Sequence, residues 1–307
     1  MAQEESIDIP PARPEERPLP AAWHPLTPRG VAAFSQAPIG RLLLVQCVVA
    51  LLAAGAVIWF LTTAWFPTIR EAVRHLPASG LIENRQLISP RTSTDPLADS
   101  RFLTLVVDVD GVGGPSFATD LRVEFRRRNL MLCSLLGCLR MNYPKDYTLQ
   151  FNQPELESWW AAWEPMIYSI TGLTVVAGLF AGWLVLATFY CPVARIYSFF
   201  KDRQSTVVGS WKLSAAALLP GTLVGAGALV LYGQGVIDLS RLLILWALYL
   251  PVSWVYLFVS PLRLSGATDA MGVLGRNPFD NEPSGASNPF SSVASEPTSS
   301  ELPKPHP

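Results

Sequence analysis

The sequence predicts an α-helical polytopic membrane protein with four transmembrane helices and a small extracytoplasmic, mainly-β domain. Three observations predict it. Half of the 307 residues are hydrophobic and only 15% are charged, whereas a soluble domain of this size carries charge on roughly a quarter of its residues. Four apolar stretches contain no Asp, Glu, Lys, Arg or His and reach the roughly 20 residues a helix needs to cross a hydrocarbon core. Between the first two of them lies a polar segment of about a hundred residues with strand-like patterning, enough for one small domain.

The stretches run over 42–66, 166–190, 213–232 and 242–262. In lipid each must be a helix, since no water is present to satisfy an open backbone. A buried soluble bundle would show a polar stripe near a period of 3.6, and these segments have none. The first stretch follows about forty polar, Pro-rich residues, unlike a secretory signal with its short basic start, so an uncleaved anchor is expected. Arg29, Arg41, Arg195, Lys201, Arg203, Lys212, Arg263 and Arg276 flank one side; Arg70, Arg74 and Arg241 flank the other. The excess of basic residues marks the cytoplasmic side. Both termini are therefore expected in the cytoplasm and residues 67–165 outside, in a bacterial inner membrane.

Gly178 and Gly182 on the second span, and Gly221 and Gly225 on the third, are four apart. This spacing lets two helix backbones approach, so spans two and three are expected to pack through them. Pro220 and Pro251 should interrupt spans three and four, because each lacks a backbone N–H. Trp159, Trp160 and Trp163 read as an interfacial belt. Residues 191–212 interleave aromatic with basic side chains, which suits an interfacial loop on an anionic leaflet.

In the outside segment, Ile69, Val73 and Leu76 share one helical face, predicting a short amphipathic helix at the membrane surface. Phe102–Val107 is a β-favouring run. Leu121, Val123 and Phe125 alternate with Arg122, Glu124 and Arg126, a half-buried strand with a wet face. Leu130–Leu139 and Tyr147–Phe151 continue the pattern, with turns at 111–114 and 143–144. An antiparallel sheet is expected.

Cys133 and Cys138 stand either across a hairpin closed by Ser134-Leu-Leu-Gly137, within bonding reach, or roughly 16 Å apart on one straight strand. Ser-Leu-Leu-Gly is poor turn chemistry, which favours the straight strand. Arg126, Arg127 and Arg128 form the dense basic cluster outside, a surface for lipid head groups or an acidic partner, or simply a solvated hairpin end. His75 has no acidic or nucleophilic partner at motif spacing, and Cys191 sits where a palmitoylated cysteine could.

Leu105-Val-Val-Asp-Val-Asp-Gly111 resembles the first motif of haloacid-dehalogenase-type phosphatases. That resemblance would make Asp108 a nucleophile and Asp110 an acid beside magnesium. Such an enzyme needs a doubly wound domain and a later lysine, and the outside segment has only Lys145. A strand-to-turn junction is the expectation, with no catalytic residue, metal or cofactor.

Fifteen of the 27 prolines lie in 1–40 and 264–307, so both tails are expected to be disordered. The second tail carries Asn277-Pro-Phe279 and Asn288-Pro-Phe290, which resemble ligands of EH domains. The layout, with Leu81-Ile-Glu-Asn-Arg-Gln-Leu87 and the strand into Asp108-Val-Asp-Gly111, resembles a bacterial four-span family named for maltodextrin utilisation. The likeness covers about a third of the chain, and Val109 and Asp110 replace the small polar residues usual after the first Asp. It implies topology rather than chemistry.

A net charge of −1 gives no reason to expect nucleic acid. The expected partners are the lipid bilayer and another membrane or envelope protein. The expected function is that of a non-enzymatic integral membrane protein whose outside β domain binds or senses an envelope ligand or partner. Two other classes remain open at this point: a transporter or channel subunit, and the outward-facing phosphatase.

Overall fold

The computed structural model describes residues 24–90, 95–110, 119–145, 148–201 and 206–264. Four long apolar helices, with a mixed α and β domain between the first two, make up the described chain. The turn expected at 111–114, the tail from 265 onward and both Asn-Pro-Phe tripeptides lie outside the described residues.

The chain enters through α1 (Pro28–Ala33), capped by the Thr27 hydroxyl, which accepts from the Gly30 N–H. Val31 and Phe34 are wholly buried, so the expectation of a disordered segment over 1–40 is corrected for residues 24–40. Proline content masked the reason. Phe34 and Val31 join the helix core, the Lys212 ammonium donates to the Ala37 carbonyl at 2.6 Å, and the Tyr256 hydroxyl donates to Leu26 O at 2.6 Å.

The first long helix is α2 (Ile39–Phe60), followed by a π-helical turn at Leu61–Trp65 and then α3 (Phe66–Arg74). Pro67 has no N–H to return to the preceding turn, and a widened turn is one way to absorb that loss. The hydroxyls of Thr62 and Thr63 both donate to Trp59 O, at 2.7 and 2.8 Å. The amphipathic helix expected after the first span is α3, but Ala72 and Leu76 pack it against the sheet core rather than leave it lying on a surface.

The domain begins with β1 (Leu81–Glu83) and β2 (Gln86–Ile88). Asn84 and Arg85, both at positive φ, turn this hairpin, as a two-residue connection requires. It is followed by β3 (Pro96–Asp99), β4 (Leu103–Asp108), β5 (Leu121–Arg126), β6 (Asn129–Ser134), β7 (Gly137–Asn142) and β8 (Leu149–Gln150). One sheet has the order β2-β1-β8 and the other β3-β4-β5-β6-β7. The expectation of a wholly antiparallel sheet is wrong at one pair. β4 and β5 run parallel, Leu103 opposite Leu121 through Asp108 opposite Arg126. Alternation along a strand states which side chains share a face, not which way the neighbour runs.

β6 and β7 form the hairpin that the turn chemistry disfavoured, and Cys133 and Cys138 are bonded across it with Cα atoms 4.1 Å apart. The straight strand is therefore corrected. Gly137 takes φ +121, and the Ser134 hydroxyl accepts from the Leu136 N–H at 3.3 Å. Together they let Leu135 and Leu136 occupy the turn. The bridge closes a loop of a few residues, so breaking it with Cys133→Ser and Cys138→Ser should cost about 2 kcal/mol at most. Faster amide exchange confined to β6 and β7 is the expected reading; unchanged exchange would mean the strands hold without it.

The second long helix, α4, runs unbroken from Gln153 to Phe200. It absorbs Trp159, Trp160 and Trp163 at its start and, at its end, residues 191–200 of what was expected as a loop over 191–212, while 207–212 open the next helix. Next come α5 (Val207–Ala217) and α6 (Leu219–Gly233), then α7 (Leu239–Ala247) and α8 (Tyr249–Val259). Each helix pair breaks just before a proline, Pro220 or Pro251, which then sits in the first turn of the next helix, where no N–H is needed. The helix core gathers Leu42, Trp183, Leu213, Leu218, Leu219 and Leu257. α1 packs at the end of the bundle opposite the sheet; the 233–238 turn between α6 and α7 lies at the sheet end.

Candidate functional site: the junction of sheet and helices

One end of the five-stranded sheet is built to grip the helices. Leu103, Leu121, Ser134 and Gly137 are in register across β4, β5, β6 and β7, so 100–102, 119–120 and 135–136 emerge at the same end. There Arg101 reaches into the α6–α7 turn. Its guanidinium donates to Gly235 O at 2.8 Å, to Ile237 O at 3.1 Å and to Asp238 Oδ1 at 2.6 Å. Gly235 is at φ +76, and a Cβ there would lie 2.8 Å from the Arg101 guanidinium. The positive φ is what calls for glycine here, since the arginine tip could shift to admit a Cβ.

Phe102, the next residue, enters an aromatic cluster. Its ring centroid is 5.6 Å from Phe60 and 5.0 Å from Tyr232, both near edge-to-face, an arrangement the ring quadrupoles favour. The Tyr232 hydroxyl donates to Asp120 Oδ2 at 2.7 Å, so the two chain segments flanking the parallel pair both touch α6. The guanidinium of Arg101 is 42% exposed and Asp238 65%, so solvent screens their attraction. Arg101→Ala should cost only about 1–2 kcal/mol. The expected readout is faster amide exchange over 233–238 with the sheet's own exchange unchanged. If 233–238 stays protected, the Phe102 cluster and the Tyr232–Asp120 hydrogen bond hold the junction without Arg101.

Behind the junction lies a buried charge network. Glu124 is 2% exposed, with Arg126 Nη2 at 2.8 Å and Arg122 Nε at 2.7 Å, the latter close without a well-directed hydrogen bond. The face expected to be wet is thus partly buried, a correction to the reading of β5. Asp108, also 2% exposed, ends β4 opposite Arg126. Asp110 pairs with Arg127 at 3.1 Å. The Tyr143 hydroxyl donates to Arg126 O at 3.0 Å, and burial pushes its pKa above the ordinary range.

Arg126, Arg127 and Arg128 lie at the far end of the sheet, where Leu87 N–H donates to Arg127 O at 2.7 Å. Six-residue strands put that end roughly 17 Å from the one that meets the helices. Arg126 and Arg127 already have carboxylate partners. The cluster therefore lies at the sheet end away from the α6–α7 turn.

The glycine expectation also changes. A Cβ on Gly178 or Gly182 would meet nothing within 4 Å, whereas Gly221 faces Tyr249 and Ser253, and Gly225 faces Trp246. The third-span glycines serve contact with the fourth. Spans two and three meet instead through α5 and through Trp183, whose Nε1 donates to the Thr222 hydroxyl at 3.3 Å. His75 Nδ1 lies 2.7 Å from Leu97 O, a structural link between α3 and β3.

Among the described residues no group of three or more His, Cys, Asp or Glu is placed to hold a metal ion. Sequence reasoning missed Arg101, Asp120, Tyr232 and Asp238. The available signal was Asp238, an acidic residue in the short polar turn between two apolar stretches; nothing in the sequence tied it to Arg101. No protein-family profile, curated protein or solved structure matches this chain.

Proposed function

We propose that the chain is a non-enzymatic integral membrane protein whose β domain faces outward and binds or senses an envelope ligand or partner. The junction is the observation that carries this reading. A domain tethered only for display needs a linker, whereas Arg101 fixes this one on the turn between the third and fourth helices and Phe102 and Asp120 fix it on the end of α6. A load on the sheet therefore reaches α6 and α7. The four apolar helices and the excess of basic residues at the α1 end support the membrane placement and cytoplasmic termini.

The test is thiol labelling of intact cells with a membrane-impermeant maleimide, in a Cys47→Ser and Cys191→Ser background. Cys133 and Cys138 should label only after reduction and without permeabilisation. Labelling that requires permeabilised cells would put the domain on the other side and end the reading.

A second reading, a transporter or channel subunit, has its own observation. A pocket of about 420 Å³ opens between the long helices, lined by Ala53, Val57, Leu179, Thr222, Trp246 and Tyr249. Its walls are apolar, so the solute it suits is apolar. Uptake of such a solute by vesicles containing only this chain, and lost on filling the pocket with Ala53→Phe, would favour this reading over the first.

A further inference from the structure

We propose that the tip of the β6–β7 hairpin, Leu135-Leu136, is a hydrophobic foot that dips into the lipid surface beside α7. The proposal rests on the membrane placement above. The register places the tip at the same end of the sheet as Phe102 and Asp120, both in contact with Tyr232 of α6. Leu135 lines a small pocket together with Asp238, Leu239 and Ser240, so the tip stands level with the first turn of α7 and one or two strands to the side of the junction.

Its chemistry is wrong for water. Hairpin tips are ordinarily Asn, Asp, Gly or Ser, yet Leu135 and Leu136 are 63% and 82% exposed. Val236, in the neighbouring α6–α7 turn, is exposed as well, and the turn from Ser134 to Gly137 carries no charge. The Cys133–Cys138 bond closes the strands directly behind the two leucines, and the Arg101 contacts fix the height of the sheet end. The tip therefore needs no reordering to meet lipid.

A second copy pairing along β7, exposed throughout its length with Leu139 and Met141 on one face, is the competing occupant. Lipid is favoured because the tip is the part level with the helix ends. Burying even half of each leucine favours the inserted state roughly ten-fold or more.

The test uses the full chain, one copy per phosphatidylcholine/phosphatidylglycerol nanodisc. The photoreactive residue p-benzoylphenylalanine replaces Leu136, or Phe189 on the exposed face of α4, or Ile88 in the small sheet. Ile88 belongs to the sheet joined to the start of α4, roughly 20 Å of helix before the apolar stretch begins. After illumination, mass spectrometry should find lipid adducts at 136 and 189, with the yield at 136 about ten-fold above that at 88. Adducts at 189 but not at 136 overturn the foot and leave the membrane placement standing. Absence at both overturns the placement, and the foot with it. Crosslinks from 136 to a second chain, at two copies per disc and without lipid adducts, assign the tip to self-association and also overturn the proposal.

Discussion

Glu124→Ala should destabilise the β domain by roughly 3 kcal/mol, because it leaves two arginines facing a carboxylate that is gone. Glu124 is 2% exposed, while Arg122 and Arg126 are 12% and 29% exposed at their side chains. Removal of one member of a buried ion pair is costly mainly through the charge left behind. Arg126 keeps some access to water, which holds the expected cost at the lower end of that range. Exchanging Glu124, Arg122 and Arg126 together for Met should bring stability back to within about 1 kcal/mol of the starting chain, since no uncompensated charge then remains. Amide exchange of β4, β5 and β6 on the purified chain measures both. If the single and triple variants are equally damaged, the network is worth its attraction and not merely the avoidance of an orphan charge.

The contrast between helices and sheet explains what the sequence could reveal. A helix able to cross lipid, the placement proposed for these four, must be apolar along its whole length, so the long apolar helices that contain 42–66 and 166–190 announce themselves. Pro220 and Pro251 announce their breaks, since a missing N–H acts locally. The sheet depends on partners far away in the chain. Leu121, Val123 and Phe125 mark one face of β5, but nothing in them says that β4 would lie parallel or that Glu124 would be covered. The cysteine hairpin was misread for a local reason. The Ser134 hydroxyl and Gly137 at φ +121 supply the turn that Leu135 and Leu136 lack, and an average over four residue types hides that division of labour. The tail over 24–40 was misread because composition weighs Pro25, Pro28 and Pro38 against order and cannot weigh one buried Phe34 for it.

The junction lay beyond sequence reasoning for a different reason. Arg101 and Asp238 are 137 positions apart, and each is an ordinary polar residue where it stands. Only the antiparallel course of the helices, which returns the chain to the sheet at 233–238, brings them together. That course also gives the site its mechanical meaning. The first helix enters the domain, α4 leaves it, and the third and fourth helices touch it at their shared turn. All four long helices thus have an end at the sheet, which is the geometry that the proposed sensing role requires.

Trp183→Ala tests whether that bundle is held by packing. Trp183 is 1% exposed within the core that joins α2, α4, α5 and α6, and its Nε1 donates to the Thr222 hydroxyl. In the lipid setting proposed for this bundle, transfer of apolar surface away from water contributes little between helices, so association would depend on close contact and on such hydrogen bonds. The indole fills more of this core than any other wholly buried side chain, and its loss opens a void that the kinked third helix can close only in part. The expected cost is roughly 3–5 kcal/mol. Trp183→Phe retains most of the volume and loses the hydrogen bond, which should cost about 1 kcal/mol. Unfolding of the full chain in mixed detergent micelles separates the two. A Phe variant as damaged as the Ala variant would make the Thr222 hydrogen bond, rather than the packed volume, the element that joins spans two and three.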